Sequence, residues 1–283
     1  MKRVEQDYLN KNYQKIYEIG SGGFGCVYKM YSYEKNRIVA MKIIKNIQEY
    51  HNSTREAEFL LSLKNNNIIK LYNSFIVSNE IWLELEYCSY GNISFLKSKM
   101  NETLLFCIAR DILKALSYIH KQDRIHFDIK PQNILVSSNY DFKLADFGIS
   151  RNASSISKEN VLNNGTQFYM APELKLSGYN ISSAIDIWEL GMTLFEMVVG
   201  IPFTLTGAKT LDEWLLDNQH VFSSNGQQWS DNLSMLFSKM LTYDPVDRPS
   251  ADSLLEESFL TTLPQTWLVV GKLIGNEKNN FWE

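Results

Sequence analysis

His126-Phe127-Asp128-Ile129-Lys130-Pro131-Gln132-Asn133 sets a carboxylate, an ammonium and a carboxamide within one short stretch, and Asp146-Phe147-Gly148 follows downstream. Transfer of a phosphoryl group needs a base for the incoming hydroxyl, a cation for the developing charge and oxygen ligands for magnesium. Asp128, Lys130, Asn133 and Asp146 supply those groups in that order. A loop carboxylate or amide that merely caps a turn is the bland alternative for any one of them. The whole set in sequence makes chance a poor explanation.

Working outward, the chain before this stretch reads as strands. Tyr13–Ile19, Cys26–Tyr33 and Ile38–Ile44 are joined by a glycine turn and by Glu34-Lys35-Asn36. Ser53–Leu63 reads as a helix, and Ile68–Phe75 and Ile81–Tyr87 return to strands across Ser78-Asn79. Beyond Ser89-Tyr90-Gly91 the period becomes helical. Thr103–His120 places Leu105, Ile108, Ile112, Ala115, Leu116 and Ile119 at three- and four-residue spacings, and Ser182–Val199, Asn232–Leu241 and Ala251–Phe259 continue that mode. The expectation is an α+β architecture: a small β-rich lobe with one main helix, then a larger helical lobe.

The turn between the first two strands is Ile19-Gly20-Ser21-Gly22-Gly23-Phe24-Gly25-Cys26-Val27. Glycines allow positive φ and bring backbone N–H groups close to phosphate oxygens. A plain glycine-rich hairpin is the alternative. A dinucleotide fold would need a helix next, whereas Val27-Tyr28-Lys29 continues as strand. Lys42 shares a strand face with Ala40 and Ile44, which places a cation beneath the glycines. Its anionic partner is Glu56, on the same helix face as Leu60 and Leu63. A capping box, Ser53-Thr54-Arg55-Glu56, competes for that carboxylate.

Nearly the whole chain thus resembles a eukaryotic protein kinase catalytic domain of serine/threonine type. The likeness sets a domain at 13–260, with an N-lobe at 13–86, a hinge at 86–92 and a C-lobe at 93–260. Extensions of 1–12 and 261–283 flank it, and Trp267, Phe281 and Trp282 in the second read as packing residues. The resemblance implies ATP and Mg²⁺ as cofactors and a protein substrate. Asp128 would take the substrate hydroxyl's proton, Lys130 would neutralise the γ-phosphate, and Asn133 and Asp146 would hold the metal. Residues 19–27, Ala40, Lys42, Glu86, Cys88, Asn92 and Leu135 would bind nucleotide, with Leu85 guarding the back of its site. Leu60, Leu71, His126 and Phe147 would form a hydrophobic column. Gly165–Glu173 resembles the end of an activation segment, Glu173 would pair with Arg248, and Asp186 would anchor the catalytic-loop backbone.

The chain departs from the family at Phe127, where most members carry an Arg that binds an activation-segment phosphate. Phenylalanine cannot pair with phosphate, so activity should not depend on phosphorylating Ser154, Ser155, Ser157 or Thr166. An apolar residue there is similar to the Wee-type kinases, cell-cycle enzymes that inhibit cyclin-dependent kinases. Asp244–Ala251 and the stretch from Gly207 to Trp214 also look Wee-like. Asp146-Phe147-Gly148 and Gly165-Thr166 instead resemble ordinary serine/threonine kinases. Translation-initiation-factor kinases and other serine/threonine kinases stay open, as do a pseudokinase-type binding module and a small-molecule kinase.

Bulk properties fit these expectations. The 283 residues are 45% hydrophobic and 21% charged, enough for a real core. A net charge of −4 points away from nucleic acid and anionic membranes. Cys26, Cys88 and Cys107 are odd in number and lack metal spacing, which reads as reduced thiols. No apolar leader opens the chain, and Ile185–Pro202 is charged and too short for a span of about 20 residues. The Asn-x-Ser/Thr triplets carry no weight without secretion. The expectation is an intracellular protein of cytoplasm or nucleus, taken as a monomer.

Overall fold

The computed structural model describes residues 11–22, 25–44, 57, 59–77, 80–152, 157–200 and 230–274. The chain divides into two compact units after Tyr90. In the first unit, strands β1 (Tyr13–Gly22), β2 (Gly25–Ser32), β3 (Arg37–Ile44), β4 (Leu71–Val77) and β5 (Glu80–Glu86) form one antiparallel sheet in the order β1-β2-β3-β5-β4. Alternation places Val39, Met41 and Ile43 in its core with Tyr13, Met30, Val77 and Trp82. The rings of Tyr13, Phe75 and Trp82 stack in sequence at 5.8 and 6.0 Å. Such pairs add to area burial because the ring quadrupoles favour offset contact.

Two strands differ from the expected bounds by more than one residue. β1 runs on to Gly22, because Gly20, Ser21 and Gly22 pair with Val27, Cys26 and Gly25. The fourth strand starts at Leu71; Ile68 and Ile69 are buried ahead of it. Of the expected helix at 53–63, residues 57 and 59–62 are helical and Ala57, Phe59 and Leu60 are buried.

The second unit is mainly helical: α1 (Glu102–His120), α2 (Lys158–Asn164), α3 (Ala184–Val199), α4 (Asp231–Met240), α5 (Ala251–Leu255), α6 (Ser258–Thr261) and α7 (Thr266–Ile274). Asn101 caps α1 by accepting the Leu104 N–H at 2.9 Å, satisfying an end-of-helix donor. Gly200, at φ 91°, ends α3 in the left-handed conformation. Short strands β6 (Arg124–Ile125), β7 (Ile134–Val136), β8 (Phe142–Leu144) and β9 (Arg151–Asn152) pair as β6-β9 and β7-β8. No helix among the described residues is long and apolar enough to cross a membrane.

The helix expected over 251–259 is broken at Glu256 and Glu257 into α5 and α6. Ala251, Leu254, Phe259 and Leu260 are all buried. On one continuous helix at 3.6 residues per turn they would spread over about two-thirds of its circumference; with the break, α5 and α6 both pack against α1. A second correction concerns Trp267, expected as a packing residue, which is 52% exposed on α7. Phe281 and Trp282 lie outside the described residues.

Candidate active site

The second unit assembles the catalytic stretch from short pieces. Residues 126–130 follow β6, and Pro131–Asn133 forms a 3-10 turn with proline at its start, where a missing N–H is harmless. The β7–β8 hairpin then pairs Ile134 with Leu144, so Asn133 and Ala145 meet at one end of it. Ala145 N–H donates to the Asn133 carbonyl at 2.8 Å, which sets Asp146 one residue beyond that closure. Asn133 and Asp146 therefore leave the hairpin from the same end.

Asp128 is 8% exposed and ringed by donors. Lys130 Nζ reaches its Oδ2 at 2.7 Å, Asn133 Nδ2 donates to the same oxygen at 2.9 Å, and the Thr166 hydroxyl donates to Oδ1 at 2.6 Å. Lys130 Nζ also donates to Thr166 Oγ1 at 2.7 Å. Charge-assisted bonds of this kind are short and strong, and they fix the carboxylate in one orientation. The contact made by Thr166 is one that the sequence did not indicate. In the sequence it reads only as a hydroxyl open to phosphorylation, and in the fold that hydroxyl closes a triangle with Asp128 and Lys130.

The loop backbone is held from beneath by α3. Asp186, fully buried, accepts the N–H groups of His126 at 2.9 Å and Phe127 at 3.0 Å. That is the anchoring geometry expected of it; His120 Nε2 lies 2.8 Å from the same carboxylate. The Asp128 N–H donates to His126 Nδ1 at 3.3 Å, and His126 Nε2 donates to the Ala145 carbonyl at 3.1 Å. One ring nitrogen accepts and the other donates, which specifies the neutral imidazole. Full burial lowers the His126 pKa in agreement, against the opposing pull of Asp186. The His126 ring meets Phe147 edge-on at 4.7 Å.

Phe127 and Asp146 both adopt positive φ, 69° and 63°. For a bulky side chain that conformation is strained and persists only where the surroundings over-determine it. Phe127 is wholly buried. Gly165 packs closely against this loop: a Cβ there would sit 3.2 Å from the Phe127 carbonyl and 3.1 Å from that of Val161, tight enough that its neighbours would have to shift by a few tenths of an ångström.

Behind the site, Arg248 and Glu173 form the expected bidentate pair at 2.7 and 3.2 Å, with side chains 0% and 1% exposed. Arg248 also donates to the carbonyls of Ala184 and Thr242 at 2.7 and 3.0 Å. In the same unit Asn92 Oδ1 accepts the Ser94 N–H at 3.0 Å, so it caps the turn Ile93–Lys99, and its backbone bridges to half-buried Leu135. Of the phosphorylation candidates, Ser157 caps α2 by accepting the Asn160 N–H. Ser154 and Ser155 lie outside the described residues, as does 207–214.

The first unit carries the remaining candidates. Lys42 is 8% exposed, paired in register between Val27 of β2 and Leu83 of β5. An ammonium that deep is rare unless something anionic is bound or close. Glu56, Gly23 and Phe24 lie outside the described residues. Gly25 holds φ 130°, and a Cβ on it would drive into the Ile43 carbonyl. Only glycine fits this approach of the turn to β3. Ile19 is 45% exposed, Val27, Ala40, Cys26 and Glu86 are half-buried, and Cys88 is buried. Leu60 and Leu71 are buried in this unit, as His126 and Phe147 are in the other.

Comparison with known proteins agrees with this geometry. Residues 13–260 match the protein kinase domain family. The serine/threonine-protein kinase KIC1 of Saccharomyces cerevisiae is 33% identical over 248 residues, covering 86% of this chain and 23% of that protein. The serine/threonine-protein kinase dst1 of Dictyostelium discoideum is 34% identical over 88% of this chain and 35% of its own length. The serine/threonine-protein kinase ppk11 of Schizosaccharomyces pombe is 34% identical, over 88% of this chain and 81% of its own length. The chain therefore belongs to the eukaryotic protein kinase family, with the bilobal α+β plan of a strand-rich and a helical unit. It spans well under half of the first two of these relatives.

Proposed function

We propose that this chain transfers the γ-phosphoryl group of ATP to serine and threonine hydroxyls of protein substrates. The observation that carries the reading is the Asp128 carboxylate, buried yet fixed by Lys130, Asn133 and Thr166. Asp128 orients the substrate hydroxyl and holds its proton, while Lys130, beside it, offsets negative charge that develops on the transferring group. Magnesium-bound ATP, on which this family generally relies, supplies the phosphoryl group and its counter-charge. The residues present fit that cofactor. Asn133 donates through Nδ2 to Asp128, which leaves Oδ1 as its cation ligand, and half-buried Asp146 supplies carboxylate oxygens. Two protein oxygens are what magnesium commonly takes, the remainder coming from phosphate and water. In the first unit, Lys42 and the glycine turn would hold the phosphates.

Serine and threonine are favoured over tyrosine by Lys130, two residues past Asp128, and by the names of the matched relatives. A narrower reading, a Wee-like cell-cycle kinase directed at a cyclin-dependent kinase, has Phe127 in its support. A degenerate peptide library with separate Ser, Thr and Tyr acceptors, incubated with Mg²⁺ and ATP, tests both. Transfer to Ser or Thr is expected, and transfer to Tyr alone would replace the first reading with the second. Asp128→Asn should abolish transfer and keep nucleotide binding, and Lys42→Met should impair transfer and phosphate alignment. Unchanged transfer in Asp128→Asn would refute the role given to that carboxylate.

A further inference from the structure

One buried carboxyl has no part in the chemistry so far. Glu189 lies on α3, 1% exposed, on the stripe that also holds Asp186 and Thr193. Its Oε2 accepts the N–H of Ile129 at 2.8 Å, and the Thr193 hydroxyl donates to the Ile129 carbonyl at 3.0 Å. Ile129 separates Asp128 from Lys130, so its two peptide groups set the spacing of that pair. The N–H groups of His126 and Phe127 go to Asp186, and that of Asp128 goes to the His126 ring. The peptides on either side of the Asp128 Cα are thus tied down, and Glu189 holds the one that leads to Lys130.

We propose that Glu189 is a positioning residue for the Asp128–Lys130 pair, holding with Thr193 the two peptide groups of Ile129 from beneath. The inference rests on the phosphoryl-transfer roles given above to Asp128 and Lys130. A carboxyl is an unusual choice for this task. Among the described residues Glu189 Oε1 has no hydrogen-bond partner, and Lys130, the nearby cation, is directed to Asp128 and Thr166. An unpaired buried charge is far more costly than an unpaired neutral group. Burial pushes the Glu189 carboxyl well above the ordinary range, and the charges of Asp186 and Asp128 act in the same direction, opposed by the Ile129 N–H and Lys130. The neutral acid is thereby favoured, and it offers one carbonyl-type oxygen to Ile129, as a glutamine would.

The test compares wild type, Glu189→Gln, Glu189→Ala and Thr193→Val in the full chain. It reads turnover on Ser/Thr peptides, KM for ATP, melting temperature, and hydrogen exchange over 126–130. Glu189→Ala is expected to lower kcat by roughly 10- to 100-fold with KM for ATP within about threefold, and to speed exchange in that segment. Glu189→Gln should restore most of the turnover and the protection. A folded Glu189→Ala protein with wild-type turnover and protection overturns the proposal, and so does a Gln variant as impaired as Ala. Should Glu189→Ala fail to fold, Thr193→Val decides: lost turnover and protection support the clasp, and no change overturns it. An inactive wild type would refute the kinase reading, while the exchange data would still judge the clasp.

Discussion

Thr166→Val removes one oxygen from the active-site cluster and almost nothing else. That hydroxyl accepts from Lys130 at 2.7 Å and donates to Asp128 Oδ1 at 2.6 Å. Without it, Asp128 keeps Lys130 and Asn133 on Oδ2, at 2.7 and 2.9 Å, and loses the donor on Oδ1. The carboxylate therefore stays paired through Oδ2 but becomes free to rotate about the remaining contacts. A hydrogen bond to a charged group is worth about 1.5–3 kcal/mol. If about 2 kcal/mol of that is realised in the transition state, kcat falls roughly 30-fold. KM for ATP should change little, since the lost contact orients the acceptor side. Thr166→Ser retains the hydroxyl and should stay within about threefold of wild type. Steady-state rates on a Ser-containing peptide, with melting curves to confirm folding, decide the matter. Wild-type turnover in the Val variant, or a Ser variant as slow as Val, would refute the argument.

Three further outcomes follow from the same structure. Glu173→Gln leaves the Arg248 guanidinium buried without its counter-charge, which should destabilise the protein by about 3–5 kcal/mol. That corresponds to a melting temperature lower by on the order of 10 °C for a chain of this size, and a loss below about 1 kcal/mol in urea titration contradicts the assigned bridge. Phosphatase treatment, or Ala at Ser154, Ser155 and Ser157, should leave turnover within about twofold, because buried Phe127 offers no cation to a phosphate; a large loss would overturn this. Glu189 makes the stability depend on pH in a definite direction. Its folded pKa is raised from 4.5, chiefly by burial and next by Asp186, with Asp128 adding and Lys130 opposing, so the unfolded chain ionises first. Wild type should lose stability relative to Glu189→Gln as pH climbs from about 4.5 through the raised value. Parallel denaturation midpoints for the two proteins over about pH 5–9 would contradict this sign.

What could be read from the sequence was local. Asp128, Lys130 and Asn133 lie within one short stretch, and strands β1 to β5 announce themselves by alternation over seven or more residues. Strands β6 to β9 are two or three residues long and carry no period to detect, although the β7–β8 pair is what joins Asn133 to Ala145. Thr166 was visible as a residue but not as a partner. A threonine in a polar segment reads as a modification site until the fold brings it to an aspartate 38 positions earlier. The same holds for α5 and α6, whose break answers to the core they pack on and not to their own propensity.

Helix α3 shows most clearly why the remainder was hidden. Glu189 and Thr193 lie three and seven residues beyond Asp186, whose anchoring role the family resemblance implied, and they extend it into a polar stripe that periodicity alone would assign to solvent. In the fold that stripe is buried, at 0%, 1% and 0% exposure. The reason lies in the catalytic stretch, which is neither helix nor sheet and so has backbone donors and acceptors that no ladder satisfies. Two elements that would each be unfavourable to bury alone satisfy one another. The same account explains how Phe127 is tolerated. Its N–H is held by Asp186 and its strained φ is fixed by the peptides around it. The loop geometry depends on backbone groups, so the side chain at 127 can change from a phosphate-binding cation to a buried ring and leave Asp128 where it is.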